Sequence, residues 1–369
     1  MKKRNYQIDI LRIIAMFMVL VLHIFGHGGM IQLCASRKDA TWLLEAFAFV
    51  GVDVFAIISG YVYTERGIKA NLARILRLYA IAWFYSVFVS ILFRVCFPSS
   101  VSIGTVMKSV FPVITKSYWY FTAYFALAFF MPMICRIADI ATTRECIAYL
   151  TIGVTLFSIV SVMATPVAGD IFMLNNGYSF LWLSFLAYIG RVLRKLTIYS
   201  KRYYWGGYII CCLLVYNLTI LIEGMTQRLI GKEKGSNLFY NYQSIFVLAA
   251  SVCLFCWILT GNRNYSISQK RIIEKISSTS FATYLITDHP FVRKNMECIK
   301  GIYVSAFPML PKVVYILLVC MVLFGVCILA DLIRQKLFDI AKVDERLKRT
   351  VYRFADMLEY GIQKFSLKK

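Results

Sequence analysis

Long apolar stretches separated by short polar and basic segments run through almost the whole chain. Ten of them approach the roughly 20 residues that a helix needs to cross the hydrocarbon core of a bilayer. They lie near 7–27, 41–63, 78–97, 118–135, 146–165, 178–190, 204–222, 238–260, 276–290 and 313–333. Two of these, 178–190 and 276–290, are short and polar, so we expect them to be buried in the bundle. The pattern predicts an all-α, polytopic transmembrane helix bundle of about ten spans.

A different periodicity follows the tenth stretch. Apolar residues recur three or four positions apart, with basic residues between them, at Leu347, Val351, Phe354, Leu358, Ile362 and Phe365. This spacing predicts an amphipathic helix that lies on the inner leaflet. We therefore divide the chain into a transmembrane domain, 1–335, and a cytoplasmic amphipathic tail, 336–369.

Composition and charge exclude two broad classes of protein. The chain is 60% hydrophobic and only 16% charged, which is too apolar for a water-facing globular surface. Its net charge of +22 could suggest a nucleic-acid binder, but Lys and Arg occur in short clusters between apolar runs. We expect membrane lipid, not nucleic acid, to be their partner.

The distribution of Lys and Arg also predicts an orientation. With the N-terminus inside, 28 of the 41 basic residues fall in cytoplasmic segments. The positive-inside rule therefore predicts a multi-pass protein of the inner (cytoplasmic) membrane with both termini in the cytoplasm.

The eleven cysteines do not form a recognisable metal or disulfide pattern. Cys253 and Cys256 have metal-like spacing, but no second pair and no histidine accompanies them in the same run. Since most of the others also fall in apolar spans, we expect buried free thiols and no metal site.

Charged residues inside predicted spans are the strongest candidates for function. Arg12 and His23 are 11 residues apart in the first span, which on a helix puts them on one stripe about 16 Å apart in height. Alternatively, Arg12 snorkels to the interface and His23 makes a hydrogen bond between helices. Asp9, three residues before Arg12, is expected to pair with it.

Four motifs then occur in order along the chain. They are Arg12 and His23 separated by ten residues, a glycine-to-serine-glycine segment at Gly51–Tyr61, the pair Arg74 and Arg77, and Ser280–Leu285. Together they resemble the acyltransferase 3 family of membrane O-acyltransferases, which acetylate bacterial surface polysaccharides. There is one departure. Where the family's closing motif often has a histidine shortly after Tyr-Leu, this chain has Thr287, with His289 two residues later.

The resemblance implies transfer of an acyl group, acetyl in the simplest case, from acyl-CoA to a hydroxyl of a surface glycan or its lipid-linked precursor. Acyl-CoA, or acetyl-CoA, is made in the cytosol and carries phosphates, so its site should be basic and near the inner face. Arg12, Arg74 and Arg77 meet that need, because guanidinium groups bind phosphate bidentately. Alternatively, Arg74 and Arg77 only mark a cytoplasmic span end.

The acceptor side should lie deeper. Histidine suits proton transfer near neutral pH, so His23 is the predicted base, with Asp53 the first candidate to orient it. The acceptor-side candidates are Trp119, Tyr120, Tyr284 and His289. Trp119 could instead belong to an interfacial aromatic belt.

Two other functions remain open on the sequence alone. A polysaccharide transporter or flippase would also need many spans and intramembrane charge, but the chain shows no inverted repeat. A glycan polymerase would need a large outer catalytic loop, and the longest predicted outer loops have about twenty residues.

Overall fold

A computed structural model describes residues 4–98, 102–198, 201–231, 235, 238–261 and 263–366. The side chains of 201, 202, 230 and 358–366 lie outside that description, so three residues of the predicted amphipathic stripe, Leu358, Ile362 and Phe365, cannot be placed. The described residues form helices and no strand. The predicted all-α fold class is therefore confirmed.

The helices are numbered along the chain. The first half holds α1 (Tyr6–Gly26), α2 (Ala40–Ala48), α3 (Gly51–Val62), α4 (Ile68–Cys96), α5 (Ile103–Ser109), α6 (Trp119–Ile140), α7 (Thr143–Val154) and α8 (Ser161–Ala168). A π-helical segment, Thr155–Val160, joins α7 to α8. The second half holds α9 (Phe180–Lys195), α10 (Lys201–Ile230), α11 (Ile245–Leu259), α12 (Ile267–Thr279), α13 (Phe281–Thr287), α14 (Pro290–Asn295), α15 (Cys298–Ala306), α16 (Lys312–Ile340) and α17 (Val343–Ser366).

Seven helical stretches in the described part of the chain are long and apolar enough to cross a membrane. They coincide with seven of the ten predicted spans. The other three, predicted at 178–190, 238–260 and 276–290, correspond to the shorter helices α9, α11 and the broken pair α12 and α13. The two that we expected to be buried do pack inside, since half of α9 and most of α13 are buried.

Helix α1 lies at the centre of the bundle. It packs against α2, α3, α11, α12, α13 and α16. Asn5 caps the start of the helix: its side chain accepts a hydrogen bond from the Gln7 amide, because an N-terminal amide has no partner within the helix. Polar residues on the buried faces of α1 therefore meet partners on other helices, as Asp9 meets Ser277 of α12 and His23 meets Thr287 of α13.

Helices α3 and α9 pack against each other at two glycines. A Cβ atom on Gly60 would lie 1.8 Å from the Ala187 carbonyl oxygen, and one on Gly190 would lie 2.0 Å from the Ile57 carbonyl oxygen. Only glycine allows the two backbones to approach so closely. Gly60 belongs to the glycine-to-serine-glycine motif, so this part of the motif has a packing role.

The predicted boundary at 335 falls within a helix. Helix α16 continues to Ile340, five residues beyond 335, and α17 then packs against α4. Lys69 Nζ donates to Asp356 Oδ1 at 2.6 Å, and Val351 is buried. The tail is thus a helix docked on the bundle by part of its apolar stripe.

Candidate functional site

One cavity of about 870 Å³ runs between α1 and the helices around it. It brings together seven of the predicted site residues, Arg12, His23, Arg74, Arg77, Trp119, Tyr120 and Tyr284. Asp53 and His289 do not line it. We call the part around Arg12, Arg74 and Arg77 the arginine end, and the part around His23 the histidine end.

At the arginine end, Arg12 is held by an acidic neighbour. Its Nη1 lies 3.1 Å from Asp9 Oδ1, as the spacing predicted. Asp9 is buried and also accepts hydrogen bonds from Arg4 Nε at 2.6 Å and Ser277 Oγ at 3.0 Å. This carboxylate therefore fixes Arg12 in place and has two further polar partners.

The other cations of the arginine end come from α4 and α16. Arg77 Nε pairs with Asp344 Oδ1 of α17 at 2.9 Å. Arg334, which sequence reasoning missed, lines the cavity and is held by Asp331 at 2.6 Å. Both Arg334 and Asp331 are buried. A carboxylate inside the last predicted span was the signal that could have revealed this pair.

At the histidine end, His23 is 7% exposed, and its hydrogen bonds define its tautomer. Its Nδ1 lies 2.7 Å from Thr287 Oγ1, and that hydroxyl donates to the Thr283 carbonyl oxygen at 2.6 Å. Because the hydroxyl proton is committed to Thr283, Nδ1 must be the donor to Thr287. Nε2 is then left unprotonated with its lone pair available.

His27, Asp288 and Arg293 form a charged cluster beside His23. The His23 and His27 rings are 5.4 Å apart, and His27 Nε2 is 3.9 Å from Asp288 Oδ1. Arg293 Nη1 donates to the same Asp288 oxygen at 3.2 Å. Sequence reasoning missed Asp288 and Arg293, although Asp288 directly follows Thr287 of the closing motif.

The same cluster bears on the prediction of no metal. His23, His27 and Asp288 each offer a ligand atom within 4.8 Å of the others, which would suit a metal ion. Arg293 is a competing cation already bonded to Asp288. The absence of a metal stays a prediction.

Asp53 does not orient His23 as predicted. It is fully buried, and its Oδ1 accepts a hydrogen bond from Trp182 Nε1 of α9 at 3.1 Å. The partner of His23 is Thr287, which occupies the position where the family often has histidine. In this structure Asp53 links α3 to α9.

His289 also lies away from the cavity. Its Nε2 is 3.1 Å from the Ser86 carbonyl oxygen, and its Nδ1 accepts from the Phe291 amide at 3.3 Å. Both ring nitrogens thus have hydrogen-bond partners, and Nδ1 caps the N-terminus of α14. His289 holds α14 against α4 and does not replace the missing motif histidine.

The aromatic candidates line the histidine end. Tyr284 lies 6.1 Å from His23 between ring centroids, and its hydroxyl accepts from the Tyr120 and Phe121 amides at 3.1 and 3.4 Å. The ring of Trp119 is 4.3 Å from that of Tyr178. The first turn of α6 is therefore anchored to α13 directly beside the histidine.

Comparison with known proteins identifies the family. The sequence model of the acyltransferase 3 family, described as an acyltransferase domain, matches residues 5–333. That range covers most of the chain and confirms the resemblance. No curated protein and no solved structure matches the chain.

Proposed function

The chain belongs to the acyltransferase 3 family, and we propose that it transfers an acyl group from cytosolic acyl-CoA to a hydroxyl of a cell-surface polysaccharide or its lipid-linked precursor. Acetyl-CoA is the donor and O-acetylation the reaction in the simplest case. The observation that carries the proposal is the cavity that joins the four arginines of the arginine end to His23.

The arginine end suits the charged part of the donor. Arg12, Arg74, Arg77 and Arg334 line the same cavity, and phosphate groups bind guanidinium through paired hydrogen bonds. Arg77 and its partner Asp344 are 59% and 44% exposed. An exposed pair of this kind contributes only about 0–1 kcal/mol, so a phosphate can displace the carboxylate from Arg77.

The histidine end suits the transfer step. His23 Nε2 takes the proton of the acceptor hydroxyl while the oxygen attacks the thioester carbonyl, and a C–O bond replaces the C–S bond. The thiolate of CoA leaves, and the proton on His23 passes to it or to solvent. His23 ends neutral, with Nδ1 still donating to Thr287. These reaction steps need neither a metal nor an acyl-enzyme intermediate.

Mass spectrometry of surface glycan from cells with and without the protein tests the proposal. We expect glycan from cells that contain the protein to carry additional acyl mass. Glycan of identical mass from both would rule out glycan acylation. Membership of an acyltransferase family favours this function over the transporter and the polymerase.

The proposal requires the arginine end to open to the cytosol. Single cysteines replace exposed Arg66, just before α4, or exposed Lys108, in a background without the native cysteines. A membrane-impermeant thiol reagent added to intact cells should label only the Lys108 site, because the positive-inside rule puts the segment with Arg66 in the cytoplasm. Labelling at Arg66 alone would put that segment outside the cell, and Arg74 and Arg77 would then lie away from cytosolic acyl-CoA.

A further inference from the structure

Glu45 is a carboxyl group in the predicted second span that the transfer step does not use. It lies on α2 and lines the cavity, and its Oε2 is buried with no hydrogen-bond partner among the described residues. The nearby cation Arg37 is engaged elsewhere. Its Nε pairs with Glu223 at 3.0 Å, and its guanidinium carbon lies 3.4 Å above the centre of the Trp42 ring. Glu45 is therefore free to bind a ligand.

Aromatic rings form the wall next to Glu45. Phe49, one helical turn on, is stacked on Tyr242 with ring centroids 4.6 Å apart. Tyr242 lies 5.0 Å from Tyr178 and 6.0 Å from Trp119, at an angle of 25° to the indole. All four rings line the cavity with Glu45. They come from the end of α2, from α6 and from two loops, so no local sequence motif predicts that they meet.

This combination selects among possible ligands. A buried carboxyl oxygen without a partner is unfavourable, and a ligand that donates a hydrogen bond to it removes that cost. The phosphates of acyl-CoA find their cations at the arginine end, so the donor's charged part belongs there. A pyranose ring offers hydroxyl donors at its edge and an apolar C–H face for the aromatic rings.

We propose that Glu45, with Trp119, Tyr178 and Tyr242, forms the subsite that holds a pyranose ring of the acceptor. The carboxyl group forms hydrogen bonds with two ring hydroxyls, and the indole packs against the C–H face. A further hydroxyl of the same sugar, or of the next one, then faces His23 in the same cavity. This inference rests on the proposed function, since it names the class of acceptor for the same site.

Binding can be measured apart from acyl transfer. Saturation-transfer NMR on the full chain in lipid nanodiscs uses the methyl glycosides of glucose, galactose, mannose and N-acetylglucosamine as probes. Cyclohexylmethanol, of similar size but with one hydroxyl, is the control ligand. We expect saturation of the ring protons of at least one glycoside. Glu45→Gln should weaken its binding about tenfold, because the amide NH2 group cannot accept the hydrogen bond that a carboxyl oxygen accepts at the same place.

Two further variants guard against misfolding and indirect effects. Trp119→Leu should also weaken glycoside binding severalfold, because stacking is lost. Glu65→Gln, at an exposed position outside the cavity, should bind like the wild type. Binding of a non-hydrolysable CoA analogue should be unchanged in both Glu45→Gln and Glu65→Gln, which shows that the arginine end is intact.

The outcomes separate this inference from the proposed function. If no glycoside binds better than cyclohexylmethanol, or if Glu45→Gln and Glu65→Gln bind alike, the subsite is wrong even where cells still acylate their glycan. If a glycoside binds through Glu45 while surface glycan gains no acyl mass, the subsite stands and glycan acylation does not.

Discussion

The two ends of the cavity use charge in opposite ways. At the arginine end, the pair Arg77 and Asp344 is about half exposed, so solvent and salt screen it. At the histidine end, His23 and Asp288 are 7% and 1% exposed, where electrostatic interactions are stronger. The comparison teaches that Arg77 can exchange its partner for a mobile charged ligand, whereas His23 and Asp288 are held in one geometry.

The largest effect is expected from the buried end. His23→Ala removes the proposed base and should lower acyl transfer by about 10²–10⁴-fold, with binding of a CoA analogue unchanged. His27→Ala should lower transfer less, because His27 Nε2 faces Asp288 at 3.9 Å. Transfer of labelled acetyl groups by purified protein checks both variants. A His23→Ala variant near the wild-type rate would remove His23 from the mechanism.

Changes at the arginine end should affect affinity for the donor. Arg74→Ala or Arg77→Ala should weaken binding of a non-hydrolysable CoA analogue about tenfold or more, because each loses a charge-assisted contact. Lysine at either position should bind at an intermediate level, since it keeps the charge without the bidentate geometry. Added salt should weaken wild-type binding as well.

Arg66→Ala is the matched control for these arginines, because Arg66 is exposed just before α4 and does not line the cavity. Its binding should equal that of the wild type. If the Lys and Ala variants of Arg74 and Arg77 also bind the CoA analogue like the wild type, both arginines only set the orientation of the helix in the membrane.

A smaller effect is expected from the partner of His23. Thr287→Val keeps the shape but removes the hydroxyl that accepts from Nδ1, so the tautomer is no longer fixed. We expect transfer to fall about tenfold in kcat, with donor affinity unchanged. Thr287→Ser restores the hydroxyl and should recover most of the rate. A serine variant as slow as the valine variant would assign the loss to packing.

The sequence predicted the parts that depend on local signals. The length of the apolar stretches located the seven helices of the described chain that are long and apolar enough to cross a membrane. The 11-residue spacing predicted that Arg12 and His23 face one cavity. Asp9 was paired with Arg12 from its position one turn away. Each of these follows from helix geometry within a single segment, which needs no knowledge of how the helices pack.

The predictions that failed concern contacts between segments that are distant in the sequence. The partner of His23 is 264 positions away, and that of Asp53 is 129 positions away. No periodicity within one helix reports which helices meet, so Asp53 was assigned to the wrong partner. Glu45 and Asp331 could have been found as intramembrane carboxylates, but the aromatic wall around Tyr178 and Tyr242 comes from loops and required the structure.

The most direct test asks whether a donor bound at the arginine end places its acyl carbon beside His23. Bromoacetyl-CoA presents an electrophilic carbon there, and Nε2 can displace bromide to form a stable N–C bond. No cysteine lines the described part of the cavity, so cysteine products would arise elsewhere. Peptide mass spectrometry should find the adduct on His23, much less of it in Arg74→Ala, and protection by acetyl-CoA. An unmodified His23, or modification that neither acetyl-CoA nor Arg74→Ala affects, would contradict a single cavity that joins donor and base.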